Sequence, residues 1–227
     1  MEITKIEVQA KNKQKMKIFI DGGFSLALSL SQVSQLKLKV GQQISSEQFT
    51  ELKAESLFIK YYQKALDYLA KAARSEAQMR DYIINKSSKN QVIKKRSGQI
   101  IKLKAELSPD EAEVLAQRIV EHLKAKKFLD DAAFAQFFIK TKLYKNYSFR
   151  RLRQELVKKG IKPEIIEDVL FNTAQLKTEE QTLAELLAKL KTKTRYQDEL
   201  KLKRYLVSKG FSYGAVKQAV EEGDSLK

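Results

Sequence analysis

Residues 151–161, with the sequence Arg-Leu-Arg-Gln-Glu-Leu-Val-Lys-Lys-Gly-Ile, recur 50 residues later at 201–211 as Lys-Leu-Lys-Arg-Tyr-Leu-Val-Ser-Lys-Gly-Phe. A shorter earlier copy surrounds Met79, whose neighbours Ser75, Arg80 and Ile83 match Ser148, Arg153 and Leu156 in the middle copy. Repeats of this length are typical of helical arrays, in which each unit buries apolar surface against its neighbours. The repeat therefore predicts a helical architecture.

We expect a mainly α-helical, elongated array of three tandem three-helix repeats. The first repeat would cover 56–127 with a β-hairpin insertion at 91–107, the second 128–174 and the third 175–227. Each would contain a helix, a short basic helix that ends in Lys-Gly or an equivalent, and a third helix. Gly160 and Gly210 lie where the basic helix must end in a left-handed conformation, which glycine adopts easily. In the second repeat Asn146 takes the place of a glycine before the basic helix, and asparagine also tolerates that conformation.

The first 55 residues follow a different pattern, typical of strands. Apolar residues alternate through 16–20 and again through 24–28, and Asp21-Gly22-Gly23 between them is a turn signal. We predict a three-stranded meander, then a short helix over 31–37. A helix should then start at the capping box of Ser45 and Gln48.

Helix starts are also marked further along the chain. Ser75 with Gln78 and Ser108 with Glu111 have the spacing of capping boxes. The helix after Asp131 should bury an apolar face made of aromatic residues, namely Phe134, Phe137 and Phe138.

The composition excludes several kinds of active site. The chain has no cysteine and a single histidine, His122, so disulfides, thiolate metal sites and multi-histidine metal sites are ruled out. The phosphate-binding pattern Gly-x-x-x-x-Gly-Lys is absent. Asp130 and Asp131 would point about 100° apart on a helix, so we interpret them as partners of the helix dipole rather than as a metal pair. We predict no metal, no cofactor and no enzymatic activity.

The sequence also carries no membrane or export signal. No run of 18 apolar residues occurs, and the N-terminal segment lacks the apolar core of a signal peptide. We expect a cytoplasmic, monomeric protein.

Positive charge is the strongest functional signal. Lys and Arg number 44 against 28 acidic residues, a net charge of +16. Two runs without acidic residues, Lys86–Lys104 and Lys140–Arg153, hold seven and six cations, and the second also contains Tyr144 and Tyr147. Such a balance suits a polyanionic partner or a partner with an acidic groove. The alternative is that these cations only keep the surface soluble.

The candidate binding residues are the cations of the three basic helices and of the predicted insertion. Leu152 and Leu156 should face the core, so Arg150, Arg153 and Lys158 should be the more exposed positions. The full set is Arg74, Arg80, Lys94, Lys95, Arg96, Arg150, Arg151, Arg153, Lys158, Lys159, Lys201, Lys203 and Arg204. Because Arg80, Arg153 and Lys203 occupy equivalent positions, stacked repeats would align them in a discontinuous basic stripe.

Three motifs, in this order and spacing, resemble the RecX family of bacterial recombination regulators. They are Arg74-Ser75-Glu76-xx-Met79-Arg80, Phe128-Leu129-Asp130-Asp131-xx-Phe134-Ala135 and Leu152-Arg153-xx-Leu156-xx-Lys159-Gly160-Ile161. The opening Ile3-Thr4-Lys5-Ile6-Glu7-Val8 is similar to the N-terminal extension of members from Gram-positive bacteria. The resemblance covers essentially the whole chain.

The resemblance implies a non-enzymatic modulator of the RecA recombinase, with a role in homologous recombination, DNA repair and the SOS response. Such proteins lie in the groove of the RecA–DNA filament and limit its growth, its ATP hydrolysis and strand exchange. The implied partners are the RecA filament and single- and double-stranded DNA, bound without sequence specificity. Two alternatives remain open at this point: an autonomous helical DNA- or RNA-binding protein, and a helical scaffold for an acidic protein.

Overall fold

The computed structural model describes residues 1–9, 12–94 and 100–224. Its strands are β1 (Ile3–Gln9), β2 (Asn12–Ile20), β3 (Gly23–Ser29), β4 (Gln91–Lys94) and β5 (Ile100–Leu103). Its helices are α1 (Leu30–Gln35), α2 (Ser46–Leu69), α3 (Glu76–Ser88), α4 (Pro109–Ala125), α5 (Asp131–Leu143), α6 (Phe149–Val157), α7 (Pro163–Leu176), α8 (Glu179–Lys191), α9 (Glu199–Ser208) and α10 (Tyr213–Asp224), with a short 3-10 helix at Thr194–Tyr196. The prediction of a mainly helical chain with a small N-terminal sheet is confirmed.

The N-terminal strands form an antiparallel meander in the order β1-β2-β3. Asp21 and Gly22 have positive φ angles of 47° and 81°, as the hairpin turn between β2 and β3 requires. The apolar face of the sheet packs in one buried cluster with the start of α2, formed by Ile3, Ile18, Ile20, Leu26, Leu28, Ile44 and Leu52. The predicted hairpin insertion is present as the antiparallel pair β4 and β5, although its Ser97-Gly98 turn lies outside the described residues.

Serine side chains cap the helices as their spacing predicted. Reciprocal bonds of a capping box join Ser45 to Gln48, Ser75 to Gln78 and Ser108 to Glu111. These bonds satisfy amide groups that a helix start leaves without an internal partner. The helix that begins at Ser46 continues to Leu69, so it runs through the proposed boundary between residues 55 and 56.

The chain divides into two compact units. The first contains Met1–Ala72 and Asp81–His122, and the second contains Ala73–Arg80 and the chain from Leu123 onward. Two buried clusters lie in the second unit: residues of α5, α6 and α7 form one, and residues of α8, α9 and α10 form the other. Each cluster therefore coincides with one copy of the repeat. The division into three repeats at residues 127 and 174 stays a prediction.

The prediction that Phe137 lies in the core is wrong. Phe137 is 63% exposed, whereas Phe134 and Ile139 of the same helix are buried. The buried stripe of α5 is formed by Phe134, Ala135 and Ile139, with Phe138 packed against it. At 100° per residue, Phe137 lies about 130° around the helix from the centre of that stripe, so its ring points away from the core.

The helices do not have the length and hydropathy of membrane-spanning segments. Within the described ranges, every helix is too short or too polar to cross a bilayer.

Candidate nucleic-acid interface

The amphipathic helix α6 presents the strongest basic surface. Leu152 and Leu156 are fully buried, and Arg150, Arg153 and Lys158 are among the exposed residues, as the helical period predicted. No acidic residue occupies the first turn of α6. Two arginines therefore lie at the positive end of the helix dipole, where cations are disfavoured, and the Glu179 carboxylate of α8 lies at the same helix start.

Arg151 makes specific contacts within the fold, whereas its neighbour Arg150 is exposed. Its guanidinium lies 4.2 Å from the ring centroid of Tyr147 and donates a hydrogen bond to the backbone carbonyl of Ser208. The side chain is half-buried. Arg151 thus joins the start of α6 to the end of α9, and this cation is already engaged.

Arg153 is exposed but forms a bidentate ion pair with Glu167 of α7. Its Nε and Nη2 atoms donate to the two carboxylate oxygens at 2.6 and 2.8 Å. This pairing lowers the pKa of Glu167 and raises the pKa of Arg153. A phosphate that binds Arg153 must therefore share the guanidinium with Glu167 or displace it.

The C-terminal end of α6 carries two lysines with different surroundings. Lys158 is exposed. Lys159 is half-buried, and its ammonium group lies 5.2 Å from the ring centroid of Phe138. Of the two, Lys158 is the more accessible to a ligand.

The equivalent helix α9 is more nearly neutralised. Lys203 pairs with Glu199, and the Lys201 ammonium lies 3.4 Å from an oxygen of Asp198. Arg204 is exposed. The basic surface of α9 is therefore weaker than that of α6.

The remaining candidates belong to the first copy and the insertion. Arg74 and Arg80 are half-buried. Lys94 belongs to β4, but its side chain lies outside the described part of the chain, as do the whole of Lys95 and Arg96. The alignment of Arg80, Arg153 and Lys203 in one stripe stays a prediction.

The sequence analysis missed how the start of a basic helix is held. The Ser75 hydroxyl, before α3, donates to the carbonyl of Lys159 at 2.6 Å. Asp131 Oδ1, on α5, accepts from the backbone N–H of Glu76 at 2.8 Å. A carboxylate and a Lys-Gly carbonyl from later in the chain thus satisfy polar groups at the helix start.

The start of α6 is held in the same way. The backbone N–H of Ser148 donates to the carbonyl of Lys209 at 3.1 Å. The Glu179 carboxylate, on α8, accepts from the backbone of Phe149 and the hydroxyl of Ser148. Burial is the largest cause of a raised pKa for this carboxyl, as it is for Asp131. We call these two sets of contacts the N-cap junctions.

Asp130 and Asp131 therefore have different partners. Asp130 caps its own helix, since its Oδ1 accepts from the Ala133 N–H at 2.9 Å, whereas Asp131 caps α3. A sequence signal for this does exist. Each capping serine is followed, in the next copy of the repeat, by a helix with an acidic residue in its first turn. In the described ranges, no group of three or more acidic, histidine or cysteine side chains could hold a metal ion.

A glycine packs against the helix start in each N-cap junction. Gly160 has a φ of 75°, and a β-carbon built on it would lie 2.3 Å from Ala77 Cβ. Gly210 has a φ of 99°, and a β-carbon there would lie 2.4 Å from Ser148 Oγ. Both the left-handed conformation predicted from the sequence and the lack of space therefore require glycine.

The chain is similar to known proteins along almost its full length. A family model described as the second three-helix domain of RecX matches residues 130–170, and a model of the regulatory protein RecX N-terminal domain matches residues 1–45. Regulatory protein RecX of Clostridium botulinum (strain Eklund 17B / Type B) is 27% identical over 226 residues, covering 97% of this chain and 95% of the relative. Regulatory protein RecX of Clostridium beijerinckii is 28% identical over 233 residues, with the same coverage.

The fold is similar to that of a solved structure. A crystal structure of regulatory protein RecX superposes with a TM-score of 0.66 at 23% identity and covers 97% of this chain and 98% of that chain. The two family models match in the order expected from the sequence motifs, and the two relatives each cover 97% of the chain. On these grounds, the chain is similar to proteins of the RecX family over almost its full length.

Proposed function

We propose that the protein is a non-enzymatic regulator that binds the RecA–DNA filament and inhibits its growth, its ATP hydrolysis and strand exchange. Similarity to the RecX family supports RecA as the partner. The net charge of +16 supports a ligand that presents many negative charges. On this proposal the protein acts as a cytoplasmic monomer.

The observation that carries the proposal is the exposed cationic face of α6. Arg150 and Lys158 are exposed at its two ends, and Arg153 lies between them. No acidic residue occurs from Lys140 to Arg153, so acids within this stretch do not offset its charge. Such a surface contacts phosphates on single- and double-stranded DNA without reading the base sequence.

The decisive experiment is a titration of the protein into the single-stranded-DNA-dependent ATPase reaction of RecA. We expect inhibition. Loss of activity at low molar ratios would indicate capping of filament ends, and loss only near saturation would indicate binding along the filament. An unchanged ATPase rate at saturation would contradict the proposal.

A second experiment locates the binding surface and separates the rival functions. The double variant Arg150→Ala and Lys158→Ala should weaken both DNA binding and RecA inhibition. The matched control Lys13→Ala and Lys39→Ala removes the same charge from exposed positions near the N-terminal sheet. Each phosphate that the variant no longer binds should lower the log–log salt slope by about 0.9 on duplex DNA. DNA binding without any effect on RecA would instead favour an autonomous nucleic-acid-binding protein, and the absence of DNA binding at moderate salt would favour an acidic protein partner.

A further inference from the structure

The outer face of α5 exposes two aromatic rings. Phe137 is 63% exposed and Tyr144 is 79% exposed. They lie seven residues apart, which is two turns of helix and about 10 Å along the axis. Lys140 and Thr141, also exposed, lie between them on the same face. Both rings lie outside the buried cluster that α5 forms with α6 and α7.

Tyr144 also lines a cleft in the second compact unit. The cleft has a volume of about 400 Å³, which lies within the range of clefts that bind small ligands. It lies between the end of α5 and residues at the end of α7 and on α8. Its lining residues are Lys140, Leu143, Tyr144, Asn146, Lys177, Glu185 and Lys189.

The cleft carries net positive charge. Three lysines line it, against the single carboxylate of Glu185. Lys177 donates to that carboxylate at 2.8 Å, and Lys177 followed by Lys189 holds the pKa of Glu185 below its usual value. The carboxylate is therefore ionised and already paired, while Lys140 and Lys189 are exposed at the cleft.

The backbone after Tyr144 is fixed by a helix-ending motif. Asn146 has a φ of 52°, its N–H donates to the Leu143 carbonyl at 2.8 Å, and the N–H of Tyr147 donates to the Lys142 carbonyl at 3.3 Å. This pair of bonds is the Schellman arrangement. Because the motif holds the backbone, the exposed position of Tyr144 is built into the fold, and binding there orders little additional chain.

We propose that this cleft is a nucleotide subsite for single-stranded nucleic acid. Tyr144 stacks on one unpaired base, and Lys140 and Lys189 bind the adjoining phosphates. Phe137 offers a second ring for a neighbouring base. An exposed ring flanked by cations is the arrangement that single-stranded nucleic acid uses, because each base has a face for stacking and each linkage has a charge. An acidic peptide would engage the lysines but would leave both rings without a role.

The subsite rests on the proposed function in one respect, namely that the protein contacts DNA. It goes further because it distinguishes single strands from duplexes. Bases within a duplex are stacked on each other, so Tyr144 reaches only an unpaired base. The basic face of α6 makes no such distinction.

The test is direct binding of a labelled single-stranded oligonucleotide, followed by fluorescence anisotropy without RecA. Tyr144→Ala should weaken binding about fivefold or more, the lower end expected for loss of one stacked base. Tyr144→Phe should restore it, because the ring is retained. The control Tyr213→Ala removes a tyrosine that is 64% exposed on α10 and should leave the affinity unchanged. Duplex affinity should be the same for all four proteins.

The role of the two lysines in binding phosphate is tested independently. The double variant Lys140→Gln and Lys189→Gln should lower the single-strand salt slope by about 1.4, which is about 0.7 for each phosphate that is no longer bound. Equal loss of single-strand and duplex affinity in Tyr144→Ala would overturn the subsite, as would unchanged single-strand affinity. If Tyr144→Ala impairs only the inhibition of RecA, the face binds protein and the subsite is refuted.

The RecA ATPase assay, run in parallel, separates this inference from the proposed function. Wild-type protein that inhibits RecA but binds no single strand by itself would refute the subsite and leave the proposed function intact. Stacking-dependent single-strand binding without any RecA inhibition would support the subsite and refute the proposed function.

Discussion

Gly210 lies directly against Ser148, so that a β-carbon built on the glycine would be 2.4 Å from the serine hydroxyl oxygen. Such a β-carbon would also lie 2.5 Å from Arg151 Cβ and 3.3 Å from its backbone nitrogen. The end of α9 therefore approaches the start of α6 as closely as a backbone without a side chain allows. The same relationship holds between Gly160 and Ala77.

Gly210→Ala should destabilise the protein by about 3 kcal/mol. The left-handed conformation costs about 1–2 kcal/mol for a residue with a β-carbon, and overpacking adds about 1–3 kcal/mol. Urea unfolding followed by circular dichroism measures the change. The control is Gly41→Ala, since Gly41 has a φ of 84° but no atom within 4 Å of the new β-carbon. Equal destabilisation by both variants would show that the close contact does not matter.

Asp131→Asn should keep or increase stability at pH 7, whereas Asp131→Ala should lower it by about 1–3 kcal/mol. Asparagine retains an oxygen acceptor for the Glu76 N–H, but alanine leaves that partly buried donor without its partner. The measurement is thermal unfolding of both variants and of the wild-type protein.

The contribution of Asp131 to stability should change with pH in a defined direction. Burial raises the pKa of Asp131 in the folded protein, so the carboxyl favours folding most when it is protonated. Its contribution is complete below the unfolded-state pKa and declines as the pH rises through the raised folded value. Stability relative to Asp131→Asn should therefore fall between acidic and neutral pH, and a rise over this interval would contradict the assignment.

Adjacent arginines at the start of α6 should give opposite results. Arg151→Ala removes the hydrogen bond to Ser208 and the contact with the Tyr147 ring, so it should lower the melting temperature. Arg150→Ala should leave the melting temperature unchanged but lower DNA affinity and its salt dependence. Differential scanning fluorimetry and anisotropy titrations at two salt concentrations measure the two properties. The assignment fails if Arg150→Ala unfolds the protein or if only Arg151→Ala weakens DNA binding.

Glu167→Gln should strengthen DNA binding. The substitution removes the carboxylate that holds Arg153 and leaves the guanidinium available to a phosphate. The log–log salt slope on duplex DNA should increase by about 0.9. Glu164→Gln is the control, because it removes one exposed charge from the same helix. An equal effect of both substitutions would mean that net charge, and not Arg153, is responsible.

Much of the local structure could be predicted because it depends on neighbouring residues. The capping serines at 45, 75 and 108, the left-handed Gly160 and Gly210, and the buried pair Leu152 and Leu156 all follow from spacing along one helix. Phe137 could not be assigned in this way. It lies within about 100° of Phe134 and Phe138 on α5, and only the packing shows that the core is on the side of Ala135 and Ile139, away from Phe137.

The exposure and the bonding partner of each cation could not be predicted from the sequence either. The sequence presents Arg150, Arg151 and Arg153 as similar residues, yet one is exposed, one bonds to the Ser208 carbonyl and one pairs with Glu167. These partners lie 57 and 14 residues away along the chain. Helical periodicity determines the direction in which a side chain points. It does not show which residues of other helices that side chain contacts.

The sequence by itself determined the helical class, the N-terminal hairpin, the internal repeat and the resemblance to the RecX family. Those properties reside in local periodicity, in turn residues and in the order of motifs. The tertiary structure decided how copies of the repeat interlock, with Asp131 on the start of α3 and Glu179 on the start of α6. It also decided that Tyr144 faces a cleft with Lys189. The physical reason is that a hydrogen bond or a cleft between distant segments exists only once packing has brought them together.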